Sequence, residues 1–293
     1  MERLSFPNRE DDEVEYDNPP VADGINAPDR KPLRDLFANL ALVAAAVVVL
    51  FVALDLAARY LTPLVPHRWE RALAGKNLLQ SALDAEGEEK QREIRRIAAK
   101  VADTMELPAD LELSVCYNPG GTVNAFATFG GNIVIFQGLL NVMQSEDELA
   151  MVLAHEIAHV KHRDVIKGMV RALGLMVLSI GLQDGGSLLE AASGLGLAGY
   201  SRMQETEADL EAVKALGAVY GHGGGAREFF QSLAGKVEKR SPKDKSMVSG
   251  LTASHPDTLY RLERCREEAI RLGLDVEGEL TPLPSVLAGI PGE

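Results

Sequence analysis

Ala154-His155-Glu156-Ile157-Ala158-His159-Val160 is the stretch that most restricts what this chain can fold into. If it is helical, His155 and His159 lie one turn apart on the same face. Two imidazoles so placed can grip one Zn²⁺, and Glu156 beside them can take a proton from an attacking water. The local signals favour a helix. Ser145 and Glu148 have capping-box spacing, and Leu149, Val152, Leu153, Ile157 and Val160 recur at helical intervals. The competing reading is a buried helix with two incidental histidines.

Two histidines do not complete a hydrolytic zinc site, which takes three protein ligands and leaves one position open. One known continuation needs Gly and His at the places held here by His162 and Val165, so it is excluded. The other brings a glutamate from a later helix in the pattern E-x-x-x-D, and Glu205-Thr206-Glu207-Ala208-Asp209 fits. Glu205 could then bind metal while Asp209 accepts the free ring N–H of a ligand histidine and fixes its tautomer. Glu207 is a rival ligand, and a solvated acidic helix face is the plain alternative. A di-iron bundle needs a second E-x-x-H pair besides Glu156–His159, and the chain has none.

The net charge of -13 and the lack of any basic stripe exclude nucleic acid as a partner class. Residues 1–34 read as an acidic, disordered tail, with Glu10-Asp11-Asp12-Glu13 near its centre. From Leu36 to Leu54 there is no charged residue. A helix of that length reaches close to the thickness of a bilayer core, about 30 Å. A single membrane anchor over 35–58 is therefore expected, contacting lipid through residues 36–54; a soluble core helix and a signal peptide are the alternatives. Arg30, Lys31 and Arg34 before the run balance Arg59, Arg68 and Arg71 after it, so charge alone does not orient it. Cys116 and Cys265 lack metal-type spacing and read as buried free thiols; a disulfide would require an oxidising compartment.

Between anchor and motif, amphipathic segments run over 70–83 and 88–105, the second with Ile94, Ile97, Ala98, Val101 and Met105 on one side. Strand patterns follow at 111–117, 122–129 and 132–137, separated by Asn118-Pro119-Gly120-Gly121 and Gly130-Gly131. They predict a small antiparallel sheet. Beyond the motif, 165–182 is apolar but holds Lys167 and Arg171, which favours packing on the domain or lying at the bilayer surface over a second span. Residues 188–199 are rich in small side chains and could form a lid, a membrane contact or a core helix. Helices are expected at 201–219, 226–237 and 256–272, with an irregular end over 273–293.

Four motifs occur in order: Asn124-Ala125-Phe126-Ala127-Thr128-Phe129-Gly130-Gly131 running on to Leu140, the His155–His159 helix, Ser201-Arg202 followed by Glu205–Asp209, and Ser254-His255-Pro256. Together they resemble the membrane-associated zinc metallopeptidases that include the heat-shock protease HtpX and the type-1 CaaX prenyl protease. The likeness covers roughly residues 70–270. It implies an α+β, mostly helical gluzincin domain over 65–272. It also implies one Zn²⁺ per chain on His155, His159 and Glu205, with Glu156 as catalytic base and His255 as an oxyanion-side or regulatory group. The single span departs from multi-span members and sets prenyl-protein processing aside. The resemblance further implies a bacterial inner-membrane protein with a periplasmic catalytic domain.

The expected activity is endoproteolysis of misfolded or membrane-associated proteins. His255, Tyr200 and Tyr220 are candidate donors to the oxyanion. The substrate is expected to add as an extended strand on the edge Asn132, Ile133, Val134, Ile135. The rival function is a membrane-tethered chaperone or scaffold with a latent or structural zinc site. Oligomeric state is not legible.

Overall fold

A computed structural model describes residues 17, 32–74, 85–170, 200–239, 255 and 258–288. The chain divides into two compact units, Met1–Val49 and Leu50–Glu293, with the boundary inside the first helix. That helix, α1 (Pro32–Leu61), is 30 residues long. Among the described residues it is the one helix long and apolar enough to cross a membrane. Leu36, Phe37, Leu40, Leu42, Val43, Val48, Val49 and Val52 all stand exposed on it. The expected tail over 1–34 lies almost wholly outside the described residues.

In the second unit, α2 (His67–Ala74) and α3 (Ala85–Ala102) precede the sheet. Ile94, Ile97, Ala98, Val101 and Met105 are all buried, so this face enters the core. The strands are β1 (Ser114–Asn118), β2 (Ala125–Thr128) and β3 (Asn132–Phe136). Their order is β1-β3-β2, with β1–β3 parallel and β2–β3 antiparallel. The expected all-antiparallel sheet is thus corrected to a mixed one. The β2–β3 hairpin forms because Gly130 and Gly131 adopt φ of 81° and 79°, a left-handed turn that glycine enters without steric cost. The 118–121 turn does not pair its flanking strands. It crosses instead onto the next helix, where Gly138 N–H donates to Gly120 O at 3.1 Å.

The run Ile133-Val134-Ile135 is buried throughout, as suits a central strand covered on both faces. This overturns a second expectation. Asn132, Ile133, Val134 and Ile135 are not an open edge, because β1 and β2 occupy both sides of β3.

After the short α4 (Gln137–Leu140) comes α5 (Glu146–Lys161), the centre of the unit. Every residue from Glu146 to Val160 is buried, and the helix packs on α3, the sheet and the later helices. Leu149, Leu153 and Ile157 are fully enclosed, each contributing about 1.5–3 kcal/mol by burial. Ser145 Oγ accepts from Glu148 N–H at 3.1 Å, while the Glu148 carboxylate accepts from Gln144 N–H at 3.0 Å, one residue off a strict capping box.

Helical residues 164–170 follow; the remainder of the 165–182 segment, and all of 188–199, lie outside the described residues. Then come α6 (Arg202–Tyr220), α7 (Gly224–Lys239) and α8 (Thr258–Arg271). Residues 273–288 form no regular helix and are strapped across the start of α5. Glu146 N–H donates to Thr281 O and Thr281 N–H to Asp147 Oδ2, both at 2.8 Å. Cys116 and Cys265 are buried free thiols.

Candidate metal centre

The buried helix α5 presents His155 and His159 from one face, and α6 delivers the carboxylate that meets them. Ser201 starts α6 with a complete capping box to Gln204, which places Glu205 in the first turn. There the exposed N–H dipoles favour a negative charge. Glu205 is 2 % exposed. Glu207, the rival ligand, faces solvent.

His155 Nε2 and His159 Nε2 are 3.0 Å apart, and each stands 3.5 Å from a Glu205 oxygen. Donors held at about 2.0–2.1 Å around one tetrahedral ion lie roughly 3.3 Å from each other. The two ring nitrogens and the Glu205 carboxylate, which turns a different oxygen to each, therefore fit a single small cation. His255 joins them, its Nδ1 lying 2.9 Å from Glu205 Oε1 and 3.2 Å from His155 Nε2. All four donors lie within 4.8 Å of one another and are buried.

The outer nitrogens of both helix histidines are held. Asp209 Oδ1 lies 2.8 Å from His155 Nδ1, as E-x-x-x-D spacing leads one to expect. Asp164 Oδ2 lies 2.9 Å from His159 Nδ1. This second pairing was not read from sequence; its only signal is a carboxylate five residues past a candidate ligand. Each contact leaves the other nitrogen, Nε2, free to face the centre. Arg261, also missed, spans the floor of the site: Nε and Nη2 reach Asp209 at 2.7 Å, and Nη1 reaches Glu205 at 2.8 Å.

This packing sets the charge states. Burial and the Arg261 charge lower the His155 imidazole, but Asp209 and Glu205 outweigh them and hold it at about 9. Burial would raise the Glu205 carboxyl, yet hydrogen bonds from His155, His159 and His255 drive it far below the usual range. For His255 burial dominates and lowers the ring.

Glu156 is 1 % exposed. Its Oε2 accepts from Ala127 N–H on β2 at 2.7 Å, and its Oε1 is 3.4 Å from His255 Nε2. A small cavity beside it is walled by Met151, Val152 and Phe229. Tyr200 stacks on His159 with ring centroids 3.6 Å apart. Tyr220 is not at the site: its hydroxyl donates to Glu146 at 2.9 Å, at the opposite end of α5, so it is withdrawn as an oxyanion donor.

The sheet edges differ. On β1, Gln91 Nε2 donates to Val115 O at 2.6 Å and Gln91 Oε1 accepts from Tyr117 N–H at 2.7 Å, so one side chain occupies the groups a further strand would use. On β2, Asn124 O accepts from Phe136 N–H, and alternation turns the polar groups of Ala125 and Ala127 away from β3. That outward edge faces Glu156.

Residues 88–269, well over half the chain, match the profile of Peptidase family M48. Over 162 residues the chain is 32% identical to the putative beta-barrel assembly-enhancing protease of Vibrio cholerae, covering 50% of this chain and 32% of that protein. It is 30% identical over 165 residues to the mitochondrial metalloendopeptidase OMA1 of Schizosaccharomyces pombe, covering 53% and 46%. It is 40% identical over 78 residues to a protease HtpX homolog of Salinibacter ruber, covering 25% and 28%. The matched stretches span less than half the length of each relative. With the four-donor cluster in place, the chain belongs to Peptidase family M48.

Proposed function

We propose that the chain is a membrane-anchored zinc endopeptidase acting on unfolded or misassembled proteins near a membrane. The observation that carries this reading is the convergence of His155 Nε2, His159 Nε2 and Glu205 at tetrahedral spacing. Two imidazoles and a carboxylate match the donor set of catalytic zinc. When bound, the ion supplies Lewis acidity, which polarises the scissile carbonyl and lowers the pKa of water. Glu156 accepts the proton from the attacking water at its carboxylate and returns it to the leaving amine. Ala127 N–H orients that carboxylate. His255 and Tyr200 are the proposed donors at the oxyanion; burial and nearby carboxylates raise the Tyr200 phenol and keep it protonated.

The substrate strand moves from β3 to β2. A peptide pairing with Ala125 and with the Ala127 carbonyl lies beside Glu156, whose carboxylate already takes the Ala127 N–H, and main-chain pairing tolerates many sequences. Gln91 closes the other edge of the sheet to the same pairing.

The domain assignment is an anchor over 35–58 and a peptidase domain over 65–272. The proposed setting is a bacterial inner membrane, with the domain on the periplasmic side and lipid contact through 36–54. The exposed apolar surface of α1 supports the anchor.

A second reading has its own observation. His255 Nδ1 lies as close to the ligand atoms as they do to each other, so His255 can fill the fourth position and leave the enzyme latent until it swings away. The test for both is casein hydrolysis by the full chain with and without chelator. Glu156→Gln should keep zinc and lose hydrolysis. His255→Ala should raise activity if latency holds and lower it if His255 assists the oxyanion. A fully active Glu156→Gln chain contradicts the mechanism.

A further inference from the structure

Arg163 occupies a position its backbone does not suit. Its φ is 59°, in the left-handed region where glycine or asparagine is the ordinary occupant. It follows the last turn of α5, with its N–H donating to Val160 O at 3.0 Å. The residue is 7 % exposed. Through Nε and Nη2 the guanidinium grips the Glu70 carboxylate, and through Nη1 it donates to the Thr62 carbonyl. Glu70 and Thr62 are themselves buried, at 7 % and 4 % exposure. Thr62 directly follows α1, and Glu70 lies on α2, the first helix after it. The next residue is Asp164, 1 % exposed, whose carboxylate holds His159 Nδ1 and also takes Lys167 Nζ at 3.0 Å.

Two consecutive residues in one strained corner thus reach in opposite directions, one to the membrane-exit segment and one to a candidate metal ligand. A backbone in this conformation persists only where its surroundings hold it. The surroundings here are the Arg163 contacts. Glycine would relax the backbone but could not make them.

We propose that Arg163, clamped by Glu70 and Thr62, is a positioning residue that sets Asp164, and through it His159, so that the exit segment of the anchor forms part of the metal site. The inference rests on the zinc-peptidase reading above. It predicts that breaking a contact at the membrane side changes the ligand field at the metal.

The experiment uses the full chain in detergent micelles, loaded with Co²⁺ so that the visible d–d bands report ligand geometry. Arg163→Ala and Glu70→Ala are compared with Asp164→Asn and with Ile97→Ala, a core variant remote from the metal. The clamp predicts that Arg163→Ala and Glu70→Ala shift the cobalt bands as Asp164→Asn does. It also predicts zinc affinity weakened about 10–100-fold, as for other groups supporting metal ligands, and a lower kcat with KM little changed. Ile97→Ala should lower Tm and leave the bands alone. Glu70→Gln, which keeps an acceptor for Arg163, guards against loss of folding and should give a smaller shift of the same kind. Wild-type bands and zinc affinity in Arg163→Ala, Glu70→Ala and Glu70→Gln would overturn the clamp while leaving the peptidase reading intact. A wild-type chain that binds neither cobalt nor zinc would overturn that reading, and the clamp with it.

Discussion

Ala127 N–H donates to Glu156 Oε2 across 2.7 Å, tying the outer edge of β2 to the carboxylate between the two helix histidines. Strand and helix are thus joined where, in the proposed mechanism, substrate and proton acceptor meet. Glu156 is buried, so its orientation depends on such contacts more than on water. Ala127→Pro deletes the donor without removing a ladder bond, because that N–H faces away from β3. Losing a hydrogen bond to a charged group costs about 1.5–3 kcal/mol, so kcat should fall roughly 10–150-fold. Turnover of a fluorogenic peptide, with zinc content measured on the same samples, checks this; the zinc should be unchanged.

Asp209→Asn tests the support beneath His155. The carboxylate serves both His155 Nδ1 and the Arg261 guanidinium, and burial leaves no water to replace it. Zinc affinity should weaken about 10–100-fold. Stability should fall by about 3–5 kcal/mol, because Arg261 loses its main counter-charge. Chelator competition and thermal melts separate the two effects.

Glu146 contributes to the acid limb of stability. Burial raises its carboxyl, but hydrogen bonds from Arg96 and Tyr220 and the charges of Arg96 and Lys100 outweigh this and bring it below the ordinary value. A depressed carboxylate contributes stability above its unfolded pKa, about 4.3, and loses it as pH falls through the folded value. Arg96 and Lys100 are both partly exposed, which screens the pairs. Glu146→Gln should therefore cost only about 1–2 kcal/mol at pH 7. Urea unfolding from pH 7 to pH 3 should show wild type and variant converging as the pH drops.

Leu287 tests whether the segment past α8 is part of the folded unit. It is fully buried, and Thr281 nearby ties this segment to the start of α5. Leu287→Ala should cost about 2–5 kcal/mol. A melting temperature equal to wild type would mean that the segment is dispensable.

The parts of this molecule legible in its sequence are those fixed by local spacing. His155 and His159 share a face because four residues make about one helical turn, and the apolar positions of α3 repeat for the same reason. Glu205 was legible because a zinc ligand set demands a third donor, and Asp209 follows from its spacing to Glu205. What escaped depends on long-range pairing. Three strand patterns in a row suggested a meander, whereas β1 pairs parallel to β3. The unbroken apolar run Ile133-Val134-Ile135 is what a strand covered on both faces requires, which sets it at the centre and not at the edge expected. Arg261 reaches the site from 52 residues beyond Asp209, and no local pattern announces such a contact. Arg163 shows its role only through its φ and its partners.

The central claim is that Glu205 closes one cation site with His155 and His159. Zinc content of purified full-length chain, wild type against Glu205→Ala, tests it most directly. Close to one zinc per wild-type chain and almost none in the variant are expected, with Glu207→Ala unchanged as the control. Equal zinc in wild type and Glu205→Ala, or none in either, would contradict it.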